Sequence, residues 1–129
     1  MQKNITLLGA KIHRATVTEA KLDYVGSITI DKALMDAAGY VEYEKVTIVN
    51  LNNGVRTETY VIAGESGSGV ICLNGGGARH ALPGDIVIIM SYILIDAKDT
   101  LGYNPKVVFV DEANKITKVG NYEKHGTIS

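Results

Sequence analysis

The sequence predicts a mainly β protein, a barrel carrying short helices, and three observations lead there. Core volume has to come from Ile, Val and Leu, because the chain has no tryptophan and one phenylalanine among 129 residues. Those β-branched residues recur in short alternating blocks, the pattern of half-buried strands. Turn residues separate the blocks, and one segment alone carries both the spacing and the caps of a good helix.

Ile5 to Ile12 reads as the first strand, with Gly9 placed for a bulge, and His13 to Val17 continues it. Thr18 to Asp23 is more polar and reads as a turn. Tyr24 to Ile30 reads as a strand with Gly26-Ser27 at its start. Asp31 to Gly39 is the helix: Asp31 caps its start, Leu34, Met35 and Ala38 form one apolar stripe, and Gly39 supplies the left-handed stop. Lys45 to Leu51 and Val55 to Ala63 are strands joined through Asn52-Asn53-Gly54, a strong hairpin signal. Glu65 to Gly69 is a Gly/Ser loop, Val70 to Leu73 a short strand, and Asn74-Gly75-Gly76-Gly77 a glycine-rich loop. Pro83-Gly84-Asp85 turns into the strand Ile86 to Ile95, and Lys106 to Val110 is the seventh strand. From Lys118 onward the chain reads as loosely held. Gly39 and Gly84 each lead into a Val/Ile strand, a short internal echo consistent with a duplicated barrel.

The bulk numbers exclude several functions. A net charge of −1 gives no general attraction to nucleic acid or anionic membrane. The longest apolar run, Ile86 to Ile95, is too short for a membrane-spanning helix, and no signal-like stretch follows Met1. A single cysteine, Cys72, cannot form an intrachain disulfide or a cysteine zinc cluster, and it reads as a buried structural thiol. No His/Asp/Glu spacing suggests a metal, and His80 and His125 stand alone. One domain over residues 1–129 and a cytoplasmic location are the expectations.

Four groups of residues could carry chemistry. Gly26-Ser27 is commonly just a turn, yet it is also a bond a protein can break itself. The serine hydroxyl can attack the preceding carbonyl, and glycine leaves that carbonyl open. Arg56, Glu58 and Tyr60 share a strand face by alternation. They form either a solvated face with an Arg–Glu pair or a site with a carboxylate-binding fork and a proton-transferring hydroxyl. Asn74-Gly75-Gly76-Gly77 lets backbone amides approach a ligand, but it matches neither a P-loop nor a dinucleotide fingerprint. Lys11 and His13 share a face and form either an exposed basic pair or a second carboxylate contact.

These pieces together resemble a known family. Lys11 to Thr18, Tyr24-Val25-Gly26-Ser27, Ile30-Asp31, Asp36 to Gly39, Asn53-Gly54-Val55-Arg56, Thr59-Tyr60, Asn74-Gly75 and Gly84 to Ile88 occur in the order and spacing of aspartate 1-decarboxylases. The resemblance covers about residues 5 to 110. It implies a double-psi β-barrel, a homotetramer with active sites between subunits, and decarboxylation of L-aspartate to β-alanine for pantothenate synthesis. It implies a proenzyme that cuts itself between Gly26 and Ser27 by an N-to-O acyl shift and elimination. The products would be a β chain, 1–26, and an α chain, 27–129. Ser27 would become a covalent pyruvoyl group, which forms a Schiff base with substrate and serves as the electron sink that pyridoxal phosphate supplies elsewhere. No metal and no pyridoxal phosphate are implied.

The resemblance further makes Tyr60 the proton donor and Arg56 the partner of the side-chain carboxylate. Gly75, Gly76 and Gly77 contact substrate through backbone, and Thr59 and Lys11 also face substrate. Asn74, Tyr24 and His13 support processing and the pocket. Two points depart from it. Alternation puts Thr59 opposite Tyr60, and Gly76 and Gly77 stand where the family often has alanines. Two other readings remain open: a pyruvoyl decarboxylase for glutamate, one methylene longer, and a non-catalytic barrel, which would not need Tyr24, Ser27, Arg56, Thr59 and Tyr60 together.

Overall fold

The computed structural model describes residues 2–121. Its strands are β1 (Asn4–Thr16), β2 (Glu19–Lys21), β3 (Ser27–Asp31), β4 (Lys45–Asn50), β5 (Arg56–Gly64), β6 (Ile71–Asn74), β7 (Ile86–Asp96), β8 (Lys106–Val110) and β9 (Ile116–Gly120), with one α-helix, α1 (Lys32–Ala38). Short 3-10 turns cover Gly75–His80 and Ala97–Asp99. The strands form one sheet in the order β2-β6-β3-β5-β4-β7-β1-β8-β9. Three neighbouring pairs are parallel: β1 with β8, β2 with β6, and β3 with β5. The fold is thus mainly β with short helices, and this sheet is compatible with the expected double-psi barrel. No helix among the described residues is long and apolar enough to cross a membrane.

The core is built as the composition requires. Ile12, Ile28, Ile30, Leu34, Met35, Val46, Val61, Ile71, Val87 and Ile89 are buried together. Each such side chain contributes roughly 1.5–3 kcal/mol by leaving water. Tyr40 joins them, and its hydroxyl lies 2.9 Å from the Ala10 carbonyl and 3.1 Å from that of Ile89, so one proton serves both β1 and β7. Burial pushes this phenol well above its ordinary value.

Local signals act as expected in several places. Asp31 accepts from the Ala33 N–H at 2.8 Å, and Gly39 closes α1 at φ +80°. The β1–β7 register shifts between Leu8 and Ala10, so Gly9 does mark a bulge. Gly54 sits at φ +75° in the β4–β5 turn.

Four expectations change. Thr18 to Asp23 is not a turn throughout: Glu19–Lys21 pairs in parallel with Cys72–Asn74, because an edge strand needs a partner's backbone more than an apolar pattern. The strand expected from Tyr24 begins at Ser27. The glycine-rich loop is a 3-10 turn beyond Asn74. The tail is not loose from Lys118, since Val107 to Val110 pairs with Ile116 to Gly120. The rest of that tail, with His125, lies outside the described residues. Nine strands rather than seven follow from β2 and β9.

Candidate active site

Four residues of β3 and β6 build the centre. Ser27 opens β3, and its cross-strand partner is Asn74, the last residue of β6. Asn74 Nδ2 donates to Ser27 Oγ at 2.8 Å and to Thr29 Oγ1 at 3.0 Å. On the other side, the Cys72 thiol donates to Asn74 Oδ1 at 3.2 Å. Ser27, Cys72 and Asn74 are all buried. Buried polar groups persist where they are hydrogen-bonded, as all three are.

The peptide before Ser27 has the opposite setting. Tyr24 is 57% exposed and Val25 81%. Tyr24 donates its N–H to the Lys21 carbonyl at 3.3 Å, and the Lys21 ammonium sits 4.8 Å from its ring centroid. Nothing lies within 4 Å of where a Gly26 side chain would begin. On its other flank the backbone is tightly backed. A Cβ on Gly75 would lie 2.8 Å from both Gly26 Cα and Gly26 N, and 3.0 Å from the Tyr24 carbonyl oxygen. Gly75 also has φ +64°, so glycine is required there twice over. Gly76 faces open space, and Gly77 touches Leu73.

The far end of the glycine turn is anchored. Asn50, buried at the end of β4, donates to the His80 carbonyl at 3.0 Å and to Asp85 Oδ2 at 2.8 Å. Asn53 donates to the same carbonyl at 3.0 Å. The bonds from Asn50 and the Leu82 N–H hold the Asp85 carboxyl below its usual range. The hairpin turn thereby braces the turn that backs Gly26.

Strand β5 supplies Tyr60. In the parallel β3–β5 pair, Ile28 lies beside Val61, and both face the core. The ladder begins there, and Ser27 and Tyr60 are the residues just before it on each strand. The half-buried Tyr60 ring packs 6.3 Å from that of Tyr43. Arg56 is exposed on the same face of β5, and Glu58 between them pairs with Lys45 at 3.4 Å. The β4–β5 register runs from Lys45–Tyr60 to Val49–Arg56 without a shift, so no bulge turns Thr59 toward this face. Thr59 instead lies opposite core residue Val46.

Lys11 and His13 lie elsewhere. They sit on β1, and β4 and β7 separate that strand from β5. The His13 ring meets Phe109 edge-on at 5.6 Å. It lines a groove of about 780 Å³ with Arg14, Asp111, Glu112 and Lys118. That groove contains no residue of the Ser27 centre.

Two contributors escape a sequence reading that looks only for motifs, Cys72 and Asn50. For Cys72 a signal existed: it stands two residues before Asn74 on one strand, so alternation puts both on one face. For Asn50 there was none, since its partners lie 30 and 35 residues away.

A mainly β fold that holds a buried serine by an asparagine amide, beside an exposed peptide backed by a glycine, has the makings of an enzyme site. Residues 2–117 match the family described as aspartate decarboxylase, and the chain belongs to that family. It is 62% identical over 125 residues to the aspartate 1-decarboxylase of Ruminiclostridium cellulolyticum, covering 97% of this chain and 98% of that one. The aspartate 1-decarboxylase of Acetivibrio thermocellus is 63% identical over 124 residues, with 96% and 98% covered. That of Campylobacter jejuni is 61% identical over 125 residues, with 97% and 98% covered.

Proposed function

We infer that the chain cuts itself between Gly26 and Ser27, converts Ser27 to a covalent pyruvoyl group, and decarboxylates L-aspartate to β-alanine and carbon dioxide. The observation that carries this reading is the buried Ser27 hydroxyl, held by Asn74 at 2.8 Å beside a peptide that Gly75 backs.

The cut follows from bonds and protons. Ser27 Oγ attacks the Gly26 carbonyl carbon, an Oγ–C bond forms, the C–N bond to Ser27 breaks, and the hydroxyl proton passes to the freed nitrogen. The ester then loses the Ser27 α-proton and the Gly26 carboxylate together. Water replaces the nitrogen, which leaves as ammonia, and a ketone remains. The residues present fit this product: Gly26 is unobstructed, and the exposed Leu22 to Val25 segment lets the new chain end move away.

The pyruvoyl group supplies the electron sink for loss of the α-carboxylate. This chain's residues do the rest. Tyr60, one residue before β5 meets β3, delivers the proton that replaces the lost carboxylate. Arg56 presents its planar fork to the side-chain carboxylate, which stays bound. Gly75, Gly76 and Gly77 offer backbone groups to substrate. Lys11 and His13 are too far along the sheet to join the same site, so a neighbouring copy supplies them, in a homotetramer with active sites between subunits. The setting is cytoplasmic pantothenate synthesis.

Intact mass spectrometry of purified protein after incubation tests the reading. Two fragments are expected, corresponding to residues 1–26 and 27–129, with a ketone at the start of the larger. An uncut chain that releases β-alanine from aspartate overturns the pyruvoyl mechanism.

A further inference from the structure

One buried group of the Ser27 centre has no part in the reaction above, the Cys72 thiol. Cys72 and Asn74 share a face of β6, and their partners on β3 are Thr29 and Ser27. The Asn74 amide has two ends of nearly equal shape and opposite polarity. Turned by half a rotation, it would present Oδ1 rather than Nδ2 to Ser27 and Thr29. Those two hydroxyls do not choose between the orientations, because each can donate or accept. Cys72 does choose. Burial pushes its thiol above the ordinary value, the nearby Glu19 carboxylate pushes the same way, and Lys21 only partly opposes them. At neutral pH the group is therefore S–H, a donor, and it lies 3.2 Å from Asn74 Oδ1.

We propose that Cys72 is a positioning residue for self-cleavage: its S–H holds the Asn74 oxygen, which aims the Asn74 NH₂ at Ser27 Oγ. The aimed N–H groups fix Oγ in place, with its remaining lone pair free to attack the Gly26 carbonyl carbon while the hydroxyl proton passes on to the Ser27 nitrogen. The role belongs to the single cleavage event and rests on the self-processing reading.

The test compares Cys72→Ala, which removes the donor, with Cys72→Ser, which keeps one. Freshly purified proteins are incubated, and the two fragments are followed by intact mass spectrometry alongside thermal unfolding midpoints. The expected result is cleavage roughly tenfold slower in the Ala variant, the scale of one lost hydrogen bond. The Ser variant should stay within about threefold of the unchanged protein, and the rate ranking should not follow the midpoints. Cleavage of Cys72→Ala at the full rate overturns the proposal, and so does equal slowing of both variants. Should Cys72→Ala fail to fold, Cys72→Val fills the volume without a donor and is judged by the same rates. Failure of the unchanged protein to cut at Gly26–Ser27 is a different result and removes the self-processing reading itself.

Discussion

The five residues before the Gly26–Ser27 bond and the five after it differ in almost every physical respect. Leu22 to Gly26 is exposed, and its side-chain contacts are few, although Gly75 backs its main chain at Gly26. Ser27 to Asp31 is a strand between β5 and β6, with Ile28 and Ile30 fully in the core. At its far end, Asp31 accepts N–H bonds from Ala33, Gly67 and Gly69 at 2.8, 2.9 and 2.8 Å. One side of the bond is held rigidly and the other is free to leave. That difference suits the proposed cut, in which the nucleophile stays fixed while the acyl group transfers and departs. The N-terminal piece would remain docked after a cut, since β1 pairs with β7 and β8.

The largest way to break this contrast is Ser27→Ala. Cleavage and β-alanine release should both vanish, while the thermal midpoint stays close to that of the parent; turnover in this variant would refute the assignment. Tyr60→Phe separates the cut from the reaction. Fragments should form at the normal rate, whereas aspartate turnover falls by about 10²–10⁴, the usual worth of a positioned acid. Equal turnover in a steady-state assay removes Tyr60 from the proton step.

Gly75→Ala tests the backing of the scissile peptide. Its Cβ meets Gly26 at 2.8 Å in a left-handed conformation, so cleavage should slow about 10–100-fold in a mass-spectrometric time course. Gly76→Ala, pointing into open space, should cut normally and is the internal control.

Asp31→Asn weakens the anchored side alone. Burial pushes this carboxyl up, but the Gly69, Gly67 and Ala33 N–H groups outweigh that and hold it below its usual value. A depressed folded value means that the stability is fully present above the unfolded value, about 3.9. It is lost as pH falls through the lower folded value. At neutral pH, Asp31→Asn should cost about 1–3 kcal/mol in urea unfolding, because an amide turns one donor toward N–H groups. The gap between variant and parent should close in strong acid, and a gap that stays constant contradicts the account. The smallest effect belongs to the exposed side: Val25→Ser should change stability by less than about 0.5 kcal/mol and leave cleavage intact.

Legibility followed the range of the interactions. The α1 caps, the Asn-Gly hairpin and the Gly9 bulge are local, and the sequence announced all three. β2 was missed because its partner, Cys72–Asn74, lies far along the chain, and β9 because its mostly exposed residues carry no apolar alternation although its partner Val107–Val110 is close by. In the centre, Ser27, Asn74, Tyr60 and the glycines were legible as residues through the family resemblance. Strand alternation already separated Thr59 from Tyr60, and the unbroken β4–β5 register agrees with it. The division of Lys11 and His13 from Ser27 was not legible, because only the sheet order shows three strands between them.

The sequence by itself determined the strand-rich composition, the helix and its caps, and the turns. These rest on residue type and short spacing, which the chain carries wherever it folds. Only the tertiary structure decided that Ser27 is buried, that Gly75 presses on Gly26, and that Cys72 and Asn74 form one hydrogen-bonded line to the hydroxyl. Those facts depend on β3 and β6 meeting across more than forty residues, and strand register, rather than local preference, sets what they bring together.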